Sequence, residues 1–283
     1  MALTFKETQK LSLLILTPVT TWEHHKIFPV HIPTFLRRNE GDPAIKVRIL
    51  ISSYLFPLTR LVQSFLPKLK KHLLPRIQAT LERETNTFDD IPCIHMAPDS
   101  GSSADLNETA HNFVFFKRDC IYHHKLVRFN FTTYAVRRGT DIVNPGTSRH
   151  NVMLLADCAD SSTSNSHPFL YARVLGAYHA NVIYTGPGMQ DYKAQHFDFL
   201  WVRWYEVIDP GSSGWSNSTL DSVRFPPLHD DESFGFVDPI DILRGSHIIP
   251  AFSTGKRPET RIDISRCAKD SKDYKRYYIG RYA

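Results

Sequence analysis

Residues 197–207 read FDFLWVRWYEV, and this stretch sets the expectation for the fold. In an extended strand, successive side chains point to opposite faces. One face then carries four aromatic residues and an arginine: Phe197, Phe199, Trp201, Arg203 and Tyr205. The other face carries Leu200, Val202 and Trp204. Because both faces are mostly apolar, the strand is expected to be central in a sheet. Arg203 then needs an anionic or aromatic partner, since an unpaired buried guanidinium is costly.

Other strand-like runs flank this segment on both sides. They cover residues 112–117, 121–136, 151–156, 169–184, 222–225, 235–237 and 247–252. Arg118, Asp119 and Cys120 separate the first two runs, as the turn of a hairpin does. Short strands between Ser-, Gly- and Pro-rich loops predict a barrel-like antiparallel β domain over residues 112–254.

The remaining sequence divides into four segments. Residues 1–44 hold four prolines and predict an extended arm, residues 45–88 a strand plus an amphipathic helical segment, residues 89–111 a linker, and residues 255–283 a basic, Tyr-rich tail. The helical stripe consists of Leu66, Leu69, Leu73, Ile77 and Leu81. Pro75 is expected to kink or split this helix. The fold class is therefore mainly β with α (α+β).

The polar face of the helical segment is basic, with Lys68, Lys70 and Lys71 among its residues. Such a helix can meet a membrane surface or nucleic acid. The favoured interpretation is a helix that packs its apolar stripe on its own core and keeps the lysines in water.

Composition excludes several classes of protein. The chain has 283 residues, 42% of them hydrophobic and 22% charged, which argues against a disordered, collagen-like or coiled-coil protein. No apolar run reaches the roughly 18 residues of a membrane-spanning helix. Four dispersed cysteines favour a reducing compartment, hence an intracellular protein. Within the cell, a nuclear location is expected in preference to a cytoplasmic one.

Positive charge is concentrated at the C-terminal end. Residues 255–283 contain nine Lys or Arg and four Asp or Glu, and this difference of five equals the net charge of +5 of the whole chain. Lysine and arginine bind phosphates, and tyrosine stacks on bases. The candidate nucleic-acid-binding residues are Lys256, Arg257, Arg266, Lys269, Lys272, Lys275, Arg276 and Tyr277. The alternative is a terminal segment whose tyrosines pack back on the domain.

Aromatic residues around the central strand suggest a second candidate site. A pocket for a methylated lysine or a base would be built from Tyr171, Trp201, Trp204, Tyr205 and Trp215. The alternative, which the density of aromatic residues favours, is that they form the core of a small barrel.

No enzyme motif survives a spacing test. Gly255-Lys256 lacks the earlier glycine of a phosphate-binding loop, because Pro250 stands there. His123 and His124 are adjacent, so they point to opposite faces of a strand and cannot share an ion. Asp198 and Glu206 lie eight residues apart, about 26 Å along a strand. We therefore predict no catalytic residue, no metal site and no cofactor.

Several segments resemble uncharacterised basidiomycete proteins derived from Plavaka-type, CACTA-like transposable elements. The resemblance rests on residues 116–138, 171–176, 199–205, 234–239 and 243–250. It implies a transposon-derived fungal protein, and it carries no catalytic residue. Those proteins continue beyond the Tyr-rich segment, so the resemblance also implies a truncated or domesticated fragment.

A second resemblance concerns the β domain. Residues 171–175, 201–205 and 247–250 are similar to the strand order of bromo-adjacent homology domains, which are protein-interaction modules of chromatin.

Together these observations predict a non-catalytic interaction module that engages DNA, RNA or a chromatin protein. No membrane partner and no small-molecule substrate are expected. One rival hypothesis is an accessory fragment of a transposase or nuclease. Its carboxylates would be Asp157, Asp160, Asp198, Glu206 and Asp238. The other rival is an inert transposon relic.

Overall fold

A computed structural model gives the fold of most of the chain. It describes residues 32–34, 45–48, 60–86, 110–132, 138–156, 167–187, 191–208, 220–257 and 272–280. Within these ranges the fold is mainly β with one long helix, and every strand pairing is antiparallel. The predicted α+β class is confirmed. Most of the predicted arm and linker lies outside the described residues.

In the part of the chain that the structure describes, the secondary structure consists of thirteen strands and one α-helix. The elements are β1 Ile32–Thr34, β2 Ile45–Arg48, α1 Arg60–Asn86, β3 Val114–His124, β4 Val127–Thr132, β5 Arg138–Val143, β6 Asn151–Leu155, β7 Phe169–Tyr184, β8 Gln195–Ile208, β9 Ser222–Arg224, β10 Phe234–Val237, β11 Ile242–Gly245, β12 His247–Pro250 and β13 Tyr277–Gly280. Among the described residues, four short 3₁₀ helices lie between these elements, at Ala110–Phe113, Asp231–Ser233, Pro239–Asp241 and Phe252–Thr254.

Strands β7 and β8 form the centre of the larger sheet. Its hydrogen-bonded order is β11-β6-β7-β8-β9-β13-β12, while β3 also pairs with β7, β2 with β3, and β10 with β8. A smaller sheet has the order β1-β4-β5. The two end strands of the longer path, β11 and β12, are separated in sequence only by Ser246. No ladder between described residues joins them, so these strands are not closed into a barrel.

Both faces of β8 are buried, as its alternating sequence predicts. Phe197 and Phe199 belong to a core that includes helix α1. Leu200 and Val202 belong to a second core on the other face. Covering both faces of one strand explains why its sequence is apolar at nearly every position.

Helix α1 packs on the sheet through the predicted stripe. Leu69, Leu73 and Ile77 are buried in the same core as Phe199. The helix is continuous from Arg60 to Asn86 and is not split at Pro75. Pro75 is exposed, which places it on the solvent side of the helix. The carbonyl group four residues earlier, which proline cannot bond, can therefore bond to water.

The predicted hairpin at residues 118–120 is wrong. Strand β3 runs through these residues, and both of its halves pair with β7, Phe116 opposite Val182 and Ile121 opposite Ala180. The register shift between them forms a bulge in which Arg118 and Asp119 adopt positive φ values of 60° and 48°. Bulges and tight turns both use left-handed residues, so the local sequence does not distinguish the two.

Segments from outside the predicted β domain pair with its strands. Strand β2 pairs with β3, and β13 pairs with both β12 and β9. Residues 277–280 of the predicted basic tail are therefore a strand of the sheet. Cys120 is buried and free of a disulfide.

Candidate functional site

The partner of Arg203 is a carboxylate from the C-terminal segment. Arg203 is fully buried (0% exposed), and its Nη1 lies 2.5 Å from Oδ2 of Asp273. Arg173, directly opposite Arg203 in the β7–β8 ladder, places its own Nη1 2.9 Å from Asp273 Oδ1. The hydroxyl of Tyr277 donates to the same Oδ1 over 3.2 Å. The prediction that Arg203 has an anionic or aromatic partner is confirmed, and the anionic partner is Asp273.

Both guanidinium groups also stack on an aromatic ring. The Cζ atoms of Arg203 and Arg173 lie 3.9 Å and 4.4 Å from the centroid of Phe225. Burial lowers the pKa of Arg203, and the adjacent Asp273 carboxylate opposes this shift. One carboxylate thus serves two buried cations. Because Asp273 points into the protein, its charge does not neutralise the lysines on the surface nearby.

The aromatic pocket candidates do not form one pocket. Tyr171 and Tyr205 are buried together in a third core with Phe225 and Tyr277. Trp201 instead packs against Phe65, with ring centroids 5.3 Å apart.

Trp204 belongs to the opposite face of β8, and Trp215 lies outside the described residues. A Cβ atom added to Gly235 would lie 2.7 Å from Trp204 Nε1, so the indole packs across that glycine. The pocket prediction is therefore corrected for the four described residues. Because side chains alternate along β8, Trp204 points to the opposite face from Trp201 and Tyr205. The described aromatic residues pack in or against the protein core, as the alternative interpretation predicted.

The basic candidates divide into exposed, partly buried and undescribed residues. Lys256, Lys272 and Lys275 are exposed. Arg257 and Arg276 are partly buried, and Arg257 Nη1 donates to the carbonyl oxygens of Phe225 and Pro226 over 3.4 Å. Arg266 and Lys269 lie outside the described residues.

Tyr277 is only 3% exposed and cannot stack on a base while β13 stays in the sheet. Its predicted stacking role is corrected. The physical reason is that its ring fills the third core beside Tyr205 and Phe225. This outcome agrees with the alternative that tyrosines of this segment pack back on the domain.

Two other aromatic residues lie next to the exposed lysines. Phe252 is 69% exposed, and its ring contacts the half-buried Tyr274 with centroids 5.3 Å apart. Lys256 and Tyr274 are directly opposite in an antiparallel bridge. Tyr274 lies within the basic, Tyr-rich segment predicted from the sequence, whereas Phe252 precedes that segment and was missed. One sequence signal could have indicated that Phe252 is exposed: Ser253, Thr254 and Gly255 follow it directly, and such residues are typical of a loop.

A histidine cluster lies on three adjacent strands. Ring nitrogens of His124 on β3 and His179 on β7 and a carboxylate oxygen of Asp198 on β8 all lie within 4.8 Å of one another. His124 Nε2 and His179 Nδ1 are 2.6 Å apart and share a hydrogen bond. His196 Nε2 is 3.1 Å from Asp198 Oδ1. Burial lowers the pKa of His124, and Asp198 opposes this shift.

Sequence reasoning rejected a metal site because His123 and His124 point apart. They do, since His123 pairs with Tyr178 while His124 contacts His179. The prediction missed ligands that come from other strands. The separations between His124, His179 and Asp198 match no local motif, so no signal in the sequence could have grouped them.

The carboxylates proposed for a nuclease do not gather, as far as the structure describes them. Glu206 binds Arg224, and Asp238 binds Arg76 through an ion pair of 2.7 Å. Asp198 belongs to the histidine cluster, the one group of three potential ligands among the described residues. Asp157 and Asp160 lie outside those residues.

Comparison with protein-family models, curated proteins and solved structures finds no match for this chain. The resemblances to transposon-derived proteins and to bromo-adjacent homology domains therefore stay predictions. Within the described ranges, no helix combines the length and the apolar character needed to cross a bilayer.

Proposed function

We propose that the protein is a binding module for nucleic acid, with a preference for single strands. Its contact surface is the basic turn surface, defined by Phe252, Lys256, Lys272, Tyr274 and Lys275. The observation that carries the proposal is an aromatic ring pair, exposed at Phe252 and half-buried at Tyr274, that lies beside the exposed residues Lys256 and Lys275. Positive charge and stackable rings are what a protein needs to follow a phosphate backbone with splayed bases.

The charge of this surface is unbalanced. Residues 251–257 and 272–280 hold five Lys or Arg side chains and a single acidic one, Asp273. Asp273 is 2% exposed and bonds inward to Arg173 and Arg203. Within these two segments the surface lysines therefore have no exposed acidic neighbour. Such charges are available to replace the counterions of a phosphate backbone.

The ladder places charge and ring on the same side. Lys256 and Tyr274 are opposite each other, and side chains of directly opposite residues share a face. Hydrogen bonds from Lys275 N to Gly255 O (3.1 Å) and from Arg257 N to Asp273 O (2.9 Å) hold the two segments together. The surface is therefore anchored at both ends and does not have to order on binding.

Phe252 has the position expected of a stacking residue. Its ring is 69% exposed, and the edge-to-face contact with Tyr274 at 82° orients it. A large exposed aromatic residue has a hydration cost that a bound base would remove. Stacking requires an accessible base face, which single strands offer and intact duplexes do not.

Other predictions are retained as part of this proposal. Derivation from a transposable element and a nuclear location are both consistent with nucleic-acid binding. A barrel-like curvature of the larger sheet, without closure, is also retained, because the end strands β11 and β12 are separated in sequence only by Ser246. None of these is needed for the binding surface itself.

The test is a titration of the full chain with a fluorescent mixed-sequence single strand at several salt concentrations. A matched pair of triple variants carries the comparison. The test variant removes the charge of the basic turn surface through Lys256→Gln, Lys272→Gln and Lys275→Gln. The control variant removes three exposed charges elsewhere through Lys71→Gln, Lys117→Gln and Lys193→Gln. We expect the first triple variant to reduce the salt slope of log K by about 2, since each phosphate contact contributes about 0.7. The control triple variant should leave the slope nearly unchanged.

Phe252→Ala tests the stacking component. It should weaken binding by roughly tenfold without changing the salt slope, because stacking is not an ionic contact. Absent or salt-independent binding, or equal effects of the two triple variants, contradicts the proposal. A duplex of the same sequence bound more tightly than the single strand contradicts the preference for single strands.

A further inference from the structure

We propose that His124, His179 and Asp198 form a binding site for a borderline divalent transition metal ion such as Zn²⁺. The site is independent of the basic turn surface, and neither proposal requires the other.

The register of three neighbouring strands creates the site. His179 on β7 is directly opposite Asp198 on β8, and on its other side it is opposite Tyr122 on β3. His124 is opposite Ala177, two residues from His179, so it shares the same face. Cβ atoms are about 5 Å apart for directly opposite residues such as His179 and Asp198, and about 7–8 Å apart for diagonal neighbours such as His124 and His179, which long side chains can bridge. All three potential ligands are thus attached to the rigid centre of the larger sheet.

The distances suit a single ion after a small side-chain adjustment. The three ligand atoms lie within 4.8 Å of one another. Two nitrogens bound to one tetrahedral zinc, each about 2.0–2.1 Å from it, are about 3.3 Å apart. His124 Nε2 and His179 Nδ1 now lie 2.6 Å apart. A small rotation of the two rings, which increases the distance between these nitrogens by a fraction of an ångström, makes room for the ion without moving the strands.

Neighbouring side chains hold the ligands in place. Tyr122 stacks on the ring of His179, with centroids 4.5 Å apart and an angle of 7° between the planes. His196 also contacts that ring at 4.5 Å, and it bonds to Asp198 Oδ1. The backbone carbonyl of Asp198 accepts a bond of 2.8 Å from Arg76 Nη1. Such partners fix the ring and carboxylate orientation that a metal ion requires.

The ligand set selects the class of metal. Two imidazoles and a carboxylate suit Zn²⁺, Co²⁺, Ni²⁺ or Fe²⁺, whereas Ca²⁺ and Mg²⁺ prefer oxygen ligands alone. His124, His179 and Asp198 are all partly exposed, so an ion can reach them from solvent. Three protein ligands leave at least one position for water or another small ligand, in contrast to closed structural zinc sites.

His196 is assigned a positioning role. It lies outside the group whose ligand atoms are mutually within 4.8 Å, and its described bond is to the carboxylate. Its loss should weaken the site less than the loss of a ligand.

The experiment is a titration of the full-length protein with Co²⁺, followed by visible absorption. A tetrahedral or five-coordinate Co²⁺ ion gives d–d bands that are much more intense than the weak bands of the octahedral aqua ion. Competition with Zn²⁺ then gives the zinc affinity. We expect one saturable site per chain, with the bands removed by one equivalent of Zn²⁺.

Variants identify the ligands. His124→Gln, His179→Gln and Asp198→Asn should each abolish the saturable bands. His196→Gln should weaken zinc binding by about tenfold, as the loss of a positioning partner does. The matched controls are His123→Gln, the adjacent histidine on the opposite face, and Asp191→Asn, an exposed carboxylate. Both controls should bind as the wild type does.

The proposal is overturned if the wild type shows no saturable site, if the ligand variants keep full affinity, or if His123→Gln loses as much as His124→Gln. Circular dichroism establishes that each variant is folded. If a ligand variant does not fold, X-ray absorption of the zinc-loaded wild type decides, with two imidazoles expected in the zinc shell. A shell with sulfur or without imidazole rejects the site.

Discussion

The two ends of the β7–β8 strand pair use ionisable residues in opposite ways. At one end Arg173 faces Arg203, and both bind Asp273 in a site closed to water. At the other end His179 faces Asp198 in a partly exposed cluster. The two sites lie on opposite faces of β8, and Asp198 and Arg203 are five residues apart, about 17 Å along the strand.

The difference teaches what burial does to a polar cluster. At the arginine end, water cannot replace a lost partner, so each member is required for stability. At the histidine end, solvent screens the charges and can take over lost hydrogen bonds. The first cluster therefore holds the C-terminal segment on the sheet, and the second is accessible for chemistry.

The largest effect is expected for Asp273→Asn. This change leaves two buried guanidinium groups without a counter-charge, which costs about 3–5 kcal/mol of unfolding free energy. Urea denaturation followed by circular dichroism measures the loss. The matched control is Glu206→Gln, which breaks the exposed ion pair with Arg224 and should cost at most about 1 kcal/mol. Similar losses in the two variants would show that the arginine site is not closed to water.

His72, a partly buried histidine without a carboxylate partner in the described part of the chain, extends the comparison between buried and exposed ionisable groups. Burial, together with the nearby Arg76 cation, lowers the pKa of His72 from 6.5 to about 4. Its Nε2 is buried and has no hydrogen-bond partner among the described residues. In the unfolded chain His72 takes up a proton near its ordinary pKa, and in the folded chain only at lower pH. Its contribution to stability is therefore complete above pH 6.5 and is lost as the pH falls toward 4.

The expected size of this contribution is about 1–3 kcal/mol, since one pKa unit corresponds to about 1.4 kcal/mol. The measurement is the difference in unfolding free energy between the wild type and His72→Gln, taken at pH 7 and pH 4.5. Because both proteins contain the same other titrating groups, the contributions of those groups to the unfolding free energy cancel in this comparison. A difference that does not change with pH would mean that His72 is accessible to water.

The smallest effect is expected at the histidine end. Asp198→Asn should change the unfolding free energy of the metal-free protein by less than about 1 kcal/mol, because the site is partly exposed and the amide oxygen still accepts a bond from His196. Denaturation in the presence of a chelator measures it. Adding Zn²⁺ should stabilise the wild type but not the variant, since only a folded site binds the ion. A loss as large as that of Asp273→Asn would contradict the contrast between the two ends.

Local periodicity predicted much of the fold. Residues 169–184 form a strand with the predicted bounds, because β-branched and aromatic residues fill it and polar loops end it. The stripe of Leu69, Leu73 and Ile77 is buried as its helical spacing indicates. The error at residues 118–120 arose because a bulge and a hairpin have the same local signature. Only the shared partner β7 distinguishes them.

The candidate sites were less predictable. The lysines of the basic turn surface were identified from charge, but Tyr277 was assigned to the surface. Its strand β13 pairs with β9 and β12, and its ring lies in the third core. The metal ligands were not found at all. His124 and His179 are 55 residues apart and become neighbours only through pairing of β3 with β7.

The sequence alone therefore determined the class of the fold, the central position of β8, the buried face of α1 and the need of Arg203 for a partner. Tertiary structure decided that this partner is Asp273, that Tyr277 belongs to the core, and that two histidines meet one carboxylate. The physical reason is range. Alternation and helical spacing act between residues a few positions apart, so they are readable in the chain. Register between distant strands results from the sum of many cross-strand contacts, and no single stretch of sequence contains that sum.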